Sequence, residues 1–252
     1  YTSRLFHIIK KHLPNMHGYA DDSQLYVAFR PDTHVSQDHA ITSIENCVSD
    51  IRAWMSNHQL MLNDSKTELL IIGSKQQLAK VHINCISVGS TEIKPVRKVR
   101  NLGSWFDEYM SMNAHVGQVC SKGFHGLYKI KQIRNFLSED AINTLIHAFV
   151  TSHIDYCNSL LYGLPKTQLN RLQRLLNAAA RITCYVPRYA HITPVLKKLH
   201  WLPIPYRINY KIALLVFKAL HNLAPSYLIE LLQTKSATRY FLRSNQQVLL
   251  QV

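Results

Sequence analysis

Three features are scarce in the sequence: paired cysteines, long apolar runs and, in the second half, carboxylates. It has five cysteines in 252 residues and none of them stands in a C-x-x-C pair, so neither a zinc ribbon nor a dithiol redox motif is indicated. An odd number of isolated cysteines is typical of a reducing compartment, and we expect an intracellular protein, in the nucleus or the cytoplasm. His153 and Cys157 are four residues apart, but two ligands make a poor zinc site and ordinary packing is the simpler interpretation.

Long apolar runs are also missing. No run approaches the roughly 18 residues that a membrane-spanning helix needs, and no signal peptide is visible. The chain begins at Tyr1 without a methionine and ends on QQVLLQV, so we expect both ends to be cut. Missing targeting signals therefore say little about location.

Carboxylates are scarce in the second half of the chain. The whole sequence has 29 Lys and Arg against 15 Asp and Glu, a net charge of +14, and after Asp155 there are 13 basic residues and a single acidic one, Glu230. A surplus of this size predicts a polyanionic partner, nucleic acid first and a membrane surface second. Some of these basic residues are expected only to solubilise their helices.

Hydrophobic residues make up 47% of the sequence, which is enough for a substantial core. Periodicity predicts an α+β protein with a mixed half, 1–108, and a helical half, 109–252. We expect one small antiparallel sheet, centred on a hairpin of strands 16–20 and 24–29 and packed on a helix over 33–57. The remaining predicted strands are 68–72, 83–88 and 99–106. The other predicted helices are 1–12, 111–136, 138–150, 165–185, 208–220 and 225–232.

Two adjacent carboxylates, Asp21 and Asp22, join the strands of the predicted hairpin in HGYADDSQLYVAF. Aspartate is common in turns, so a plain hairpin turn accounts for the pair. The alternative is a metal site, because adjacent carboxylates can share hard divalent ions in two-metal phosphoryl transfer.

The YADD tetrapeptide resembles the catalytic hairpin of reverse transcriptases. The likeness extends along nearly the whole chain to enzymes of non-LTR (LINE-type) retrotransposons, particularly the Jockey-like branch. It rests on an ordered series of segments: WMSNHQLMLNDSKTELLIIGS, VRNLGSWFDEYMSMNAHV, KIKQIRNFLS, HIDYCNSLLYGLP, LQRLLNAAARI and HITPVLKKLHWLPIPYRINYKIALLVFKALHNLAPSYL. The resemblance implies a partial polymerase palm in 1–108, then a helical thumb and a basic C-terminal region.

The resemblance also implies roles for single residues. Asp21 matches the metal-binding aspartate of the hairpin and Asp22 its second acid, while Tyr19 matches the aromatic residue beside the primer end and the incoming nucleotide. Lys66 resembles a proton donor to the pyrophosphate, although an ordinary turn lysine explains it as well. The pair Leu102 and Gly103 resembles the primer-grip hairpin, with a plain glycine bend as the alternative.

The implied ligands are Mg²⁺ (or Mn²⁺), an RNA template, a DNA primer and a deoxynucleoside triphosphate, with no membrane and no indication of oligomeric state. The upstream metal-binding aspartate and the P-Q-G-type segment of the family have no match here. We therefore expect a fragment that is inactive alone, and a sheet face left apolar and open, which lowers solubility. The alternative is a nucleic-acid-binding remnant with vestigial aspartates.

The basic half supplies the candidate nucleic-acid contacts. We expect phosphate contacts from some of seven residues: Arg171, Arg174, Arg181, Lys197, Lys198, Arg207 and Lys211. Trp201 is a candidate for stacking on a base, although a buried structural tryptophan is the simpler interpretation.

Overall fold

Helices and short antiparallel hairpins alternate in the first half of the molecule, and helices alone fill the second. The structure is a computed structural model that describes residues 3–232, and it confirms an α+β protein. The chain divides into two compact units, Tyr1–His115 and Val116–Val252. The division follows residue 115 rather than 108, and the interpretation of the units as palm and thumb stays a prediction.

The first unit contains two main helices and three strand pairs. Its elements are α1 (Ser3–His12), β1 (Asn15–Tyr19), β2 (Asp22–Tyr26), α2 (His34–Asn57), a 3₁₀ turn (Asp64–Lys66), α3 (Lys75–Leu78), β3 (Ile86–Val88), β4 (Thr91–Ile93), β5 (Lys98–Asn101) and β6 (Ser104–Asp107).

The helix predicted over 33–57 is α2, with Thr33 at its N-cap position. Its apolar residues recur at three- and four-residue steps and so form one buried stripe. Cys47 and Ile51 on that stripe pack against Leu5, Ile9 and Leu13 of α1 and the turn after it. A second cluster joins Val48 of α2 to the β3–β4 hairpin. The helix therefore organises the core of this unit.

The expected single sheet is wrong for the part of the chain that the structure describes. There are three separate two-stranded antiparallel sheets, β1–β2, β3–β4 and β5–β6. Two of the predicted strands also differ. The segment 68–72 forms only one isolated bridge, from Leu69 to Pro95, and 99–106 is a hairpin rather than one strand. Proline has no N–H to donate, so that bridge does not extend into a ladder.

The second unit is helical throughout its described part. It contains most of α4 (Asn113–Ile133), a 3₁₀ turn (Arg134–Phe136), α5 (Glu139–Ile146), a π-helical turn (His147–Thr151), α6 (Ser152–Asp155), a 3₁₀ turn (Asn158–Leu161), α7 (Lys166–Cys184), α8 (Ile192–Lys198), α9 (Ile204–Leu220) and α10 (Ser226–Ile229). The predicted basic C-terminal region beyond Leu232 lies outside the described residues.

Helices α5 and α7 correspond to the helices predicted over 138–150 and 165–185. Ser138 caps α5 by accepting a hydrogen bond from the Ala141 N–H, and two acidic residues follow it in the first turn. The buried face of α7 carries a row of apolar residues: Leu172, Leu175, Leu176, Ala179 and Ala180. Gly123 of α4 allows a close crossing, since a Cβ there would lie 2.4 Å from Leu175 Cδ2.

Prolines begin α9, which starts four residues before the helix predicted over 208–220. The helix starts at Ile204, with Pro203 at the N-cap position and a proline in the first turn. Proline suits this position because the first N–H groups of a helix have no intrahelical partner. Trp201 just before it is buried and meets the ring of His147 edge-on at 5.6 Å. Its ring therefore serves the core and offers no face to a base.

Candidate functional site

The two aspartates lie at the tip of the β1–β2 hairpin. Tyr19 pairs with Asp22, so Ala20 and Asp21 form a two-residue loop. The turn expected at residues 21–23 is therefore displaced by one residue, because Asp22 and Ser23 already belong to the β2 ladder. Ala20 has a φ of 54°, in the region that favours glycine at the first loop position of a hairpin. The tip carries backbone strain at this alanine.

The base of the hairpin is anchored while its tip is free of packing. Met16 and Leu25 face each other across the strands and pack on the core between α1 and α2. Gly18 lies over Phe6, where an added Cβ would be 3.1 Å from the ring. At the tip, Asp21 and Asp22 are exposed and Tyr19 is 69% exposed. The hairpin thus presents all three side chains to solvent.

Exposure explains how adjacent carboxylates are tolerated without a bound cation. Water weakens their repulsion to about 1 kcal/mol at 4 Å and salt screens it further. Within residues 3–232, no group of three His, Cys, Asp or Glu side chains is arranged to hold a metal ion. The hairpin offers two carboxylates and no third ligand, so these residues do not complete a metal site.

A second hairpin lies beside the first. Gln24 Nε2 of β2 donates to Asn101 Oδ1 of β5 at 2.5 Å, and the hydroxyl of Tyr26 donates to Gln24 Oε1. Side chains alternate along a strand, so Asp22 and Gln24 share one face of the hairpin. Asn101 directly precedes the turn of the second hairpin in the sequence. The structure therefore brings Asn101, the residue before the predicted primer-grip pair, to the face of β1–β2 that carries Gln24 and Asp22.

The turn of the second hairpin uses Leu102 and Gly103, both exposed and both at positive φ, 43° and 85°. Positive φ at both loop positions is the pattern of a type I′ turn. The glycine is thus required by the turn, and leucine is an unusual residue for the first position. A role in holding a primer stays a prediction.

Lys66 lies in the 3₁₀ turn after α2 and is exposed. Two residues earlier, Asp64 accepts from the Arg52 guanidinium at 2.5 Å, and this guanidinium in turn lies against Gly89. No ion pair in residues 3–232 joins Lys66 to Asp21 or Asp22. The structure does not bring this candidate proton donor into contact with the carboxylates.

The candidate phosphate contacts on α7 share one side of the helix. Arg171, Arg174 and Arg181 fall within about 80° on a helical wheel, opposite the buried apolar row. Arg171 and Arg174 are exposed, while Arg181 is half-buried and donates to the Ala190 carbonyl at 3.4 Å. Two of the three guanidinium groups are thus accessible to a phosphate backbone.

The remaining candidates differ in their accessibility. Lys197 and Lys198 end α8 and are exposed, with Lys198 Nζ 3.6 Å from a Glu139 carboxylate oxygen. Lys211 of α9 is half-buried. Arg207 is only 14% exposed, donates to Asp155 at 2.6 Å and to the Leu202 carbonyl at 2.8 Å, and has a structural role in holding α9 to α6.

The cysteines are isolated in the fold as in the sequence. Burial, with a smaller effect of Asp50, raises the pKa of the Cys47 thiol to about 11, so this residue acts as a core side chain. Cys157 has a φ of 50° and precedes a 3₁₀ turn. His153 and Cys157 belong to no three-ligand group among residues 3–232.

The sequence interpretation missed Gln24 and Asn101, which connect the two hairpins. Their signal was weak, because a polar residue on the open face of a strand is expected whether or not it has a partner. It also missed a row of exposed aromatic residues on α9. Their four- and seven-residue spacing was present in the sequence, but periodicity alone does not say which face of a helix is buried.

Comparison with protein-family models, with curated proteins and with solved structures finds no match to this chain. Among the helices of residues 3–232, none combines the length and the apolar character that crossing a bilayer requires.

Proposed function

We propose that this chain is a fragment of the RNA-directed DNA polymerase of a non-LTR retrotransposon, comprising part of its palm and thumb. The observation that carries the proposal is the tight β1–β2 hairpin, which presents Tyr19, Asp21 and Asp22 together at an exposed tip. In the intact enzyme, this tip contributes carboxylates to nucleotidyl transfer on an RNA template and a DNA primer.

The neighbourhood of the hairpin supports this proposal. The hydrogen bond from Gln24 to Asn101 connects β2 to the strand that leads into the Leu102–Gly103 turn, and in this proposal a primer backbone approaches along that face. An apolar groove of about 360 Å³ also opens beside β2 in this unit. Its walls include Leu25, Val27, Phe29, Ile44, Leu70 and Ile72. A groove of this kind suits one more extended segment of a larger palm.

Metal chemistry belongs to the intact enzyme in this proposal. Mg²⁺ or Mn²⁺, when bound, would stabilise the attacking and departing oxygens of the transfer. Asp21 and Asp22 would contribute to holding the ions, but a third ligand is not present among residues 3–232. We therefore expect no polymerase activity from the isolated chain.

The second candidate function is nucleic-acid binding without catalysis. It is favoured by the exposed Arg171 and Arg174 on one side of α7 and by the lysines at the end of α8. Binding through such contacts is tolerant of sequence and weakens steeply with salt. In this case the β1–β2 hairpin would be vestigial and would play no part in binding.

A metal titration separates the two functions. Mn²⁺ is added to ¹⁵N-labelled chain, and paramagnetic broadening of amide signals is followed in the wild type, Asp21→Asn and the control Asp38→Asn, which removes an exposed carboxylate from α2. The polymerase proposal expects weak broadening centred on residues 19–23 that Asp21→Asn removes and Asp38→Asn leaves. Broadening spread evenly over surface carboxylates favours the non-catalytic function.

Primer extension tests the expected inactivity. The purified chain is given an annealed RNA template and DNA primer with Mg²⁺ and deoxynucleoside triphosphates. We expect no extension above an Asp21→Asn/Asp22→Asn control. Template-dependent synthesis that this control lacks would show that the chain is a complete polymerase and would contradict the fragment proposal.

A further inference from the structure

Helix α9 carries a row of exposed aromatic side chains. Tyr206, Tyr210 and Phe217 are 63%, 60% and 53% exposed. At 100° per residue they fall within about 40° of one another, and they span about 16 Å along the helix axis. The ring of His221 continues the row, with its centroid 4.2 Å from that of Phe217. The three rings therefore form a single stripe and are not scattered surface residues.

This stripe is not needed for the core of the unit. The opposite face of α9 supplies the buried residues Ile204, Ile208 and Ala219. Single exposed hydrophobic residues are normal, but exposed rings aligned along one face of a helix indicate an interaction surface. A partner bound to that surface has to pack against aromatic rings that are spaced one and two helical turns apart.

Charge indicates the nature of the occupant. Helix α9 contains no carboxylate, and residues 116–232 contain 14 Lys and Arg against four Asp and Glu, a net charge of +10. Lys211 and Lys218 are seven residues apart and lie together about a third of a turn from the aromatic row. Rings flanked by cations suit a polyanion whose bases are unstacked, because each base can stack on a ring while phosphates meet the lysines.

We propose that the aromatic row of α9 is a stacking platform for single-stranded nucleic acid. This inference rests on the proposed nucleic-acid-binding function and deepens it by naming the surface and the strandedness of the ligand. It assigns the recognition of bases to Tyr206, Tyr210 and Phe217 and the adjacent phosphates to Lys211 and Lys218, while the exposed arginines of α7 add general attraction for the phosphate backbone.

The test measures binding of a fluorescein-labelled 20-nucleotide oligouridylate to the full 252-residue chain by fluorescence anisotropy. The variants are Tyr206→Leu, Tyr210→Leu and Phe217→Leu, singly and combined, because leucine keeps the helix and removes the ring. Each single change is expected to raise Kd by about 5-fold or more. The slope of log K against log salt should not change, because no charge is lost.

Tyr189→Leu is the matched control, since Tyr189 is 91% exposed and lies outside α9. It should leave Kd within about twofold, in line with the small effect of a surface change away from a binding site. Circular dichroism melts should show that all variants fold like the wild type. The loss of affinity should be greater for the oligouridylate than for duplex RNA of the same length, because a duplex keeps its bases stacked.

Three results would overturn the stacking inference. In the first, the triple variant binds the oligouridylate like the wild type while Arg171→Gln/Arg174→Gln weakens binding, which leaves the proposed function intact. In the second, affinity for duplex RNA falls equally. In the third, light scattering shows that the triple variant converts a dimer to a monomer, so that the row is a self-interface. If the wild-type chain bound no RNA at 50 mM salt, that result would instead refute the proposed nucleic-acid-binding function itself.

Discussion

The side chain of Gln37 connects three segments of the first unit and shows what a single buried polar residue does here. It is 3% exposed. Its Nε2 donates to the carbonyls of Pro31 and Lys80 at 2.9 and 3.1 Å, and its Oε1 accepts from the His82 N–H at 2.8 Å. One amide thus satisfies backbone groups that secondary structure leaves without partners.

Replacement of Gln37 by methionine should destabilise the first unit by about 2–4 kcal/mol, because it leaves one N–H and two carbonyls without their partner. Amide hydrogen exchange of α2, measured under native conditions, reports this change locally. Gln76→Met is the control, since Gln76 is exposed on α3. Equal protection of α2 in both variants would mean that water replaces the lost hydrogen bonds.

His115 should make the first unit sensitive to acid. It is 3% exposed, its Nδ1 accepts from the Trp105 N–H at 3.4 Å, and burial lowers its pKa from the ordinary value. As the pH falls below about 6.5, the imidazole of His115 therefore binds a proton more readily in the unfolded chain than in the folded chain. Stability should be constant above that pH and fall below it, by at most about 1.4 kcal/mol per pH unit from this group.

Urea unfolding of the wild type and His115→Gln at pH 7.5 and 5.5 measures this effect. Glutamine keeps a hydrogen-bond acceptor and cannot be protonated, so the loss of stability between the two pH values should be smaller in the variant. His125→Gln removes an exposed histidine from the same helix and should keep the wild-type dependence. A wild-type dependence in His115→Gln would assign the acid sensitivity to other groups.

At the scale of elements, helices were predictable because amphipathic periodicity and capping residues are local. The helices α2 and α7 and the start of α5 match their predictions to within one or two residues. For the hairpin β5–β6, periodicity wrongly predicted one strand, because an apolar residue at a positive-φ turn position resembles the interior of a strand, whereas the family resemblance placed a hairpin at Leu102 and Gly103. With leucine at position 102, the loop lacks the Asn-Gly pair that commonly identifies a hairpin turn in a sequence.

The other differences have long-range as well as local causes. The segment 68–72 is apolar enough for a strand, but its one bridge is to Pro95, which lacks a donor. The π-helical turn at His147–Thr151 interrupts a predicted helix, and there His147 Nδ1 lies 2.8 Å from the Thr151 hydroxyl. At the candidate site, the carboxylate hairpin was predictable from the sequence, whereas its link to Asn101 depends on tertiary contact.

The packing of α4 on α7 provides a test at this scale. Gly123→Ala should destabilise the second unit by about 1–3 kcal/mol, because the added methyl group overlaps Leu175, which is fully buried and has little room to move. Gly117→Ala is the matched control in the same helix, where the nearest atom, from Arg171, is 3.6 Å away. It should stabilise the helix by up to about 1 kcal/mol, the difference in helix propensity.

Thermal unfolding followed by circular dichroism measures both glycine variants. The melting temperature should fall for Gly123→Ala and rise or stay the same for Gly117→Ala. A rise in both would mean that Leu175 adopts another rotamer at low cost and that the helix crossing tolerates a methyl group. The contrast between two glycines of one helix isolates packing from helix propensity.

At the scale of the whole molecule, charge divides unevenly between the two units. Residues 1–115 contain 12 Lys and Arg against 11 Asp and Glu, whereas residues 116–232 have the net charge of +10 given above. A polyanion should therefore be attracted chiefly to the second unit, and the first should contribute little to the dependence of binding on salt.

Two double variants with the same change of net charge test this asymmetry. Arg171→Gln/Arg174→Gln removes the exposed pair of α7, and Lys10→Gln/Lys11→Gln removes an exposed pair from α1. For single-stranded RNA, each lost phosphate contact reduces the slope of log K against log salt by about 0.7. The α7 variant should therefore lower the slope by about 1.4, while the α1 variant should leave it near the wild-type value.

The comparison distinguishes a defined surface from general electrostatic attraction. If both variants lowered the slope equally, net charge alone would govern binding, and the position of the arginines opposite the buried face of α7 would have no functional meaning. If only the α7 variant did so, phosphates would contact that side of the helix directly. Since the two variants carry equal charge, the difference between their slopes measures the contribution of position.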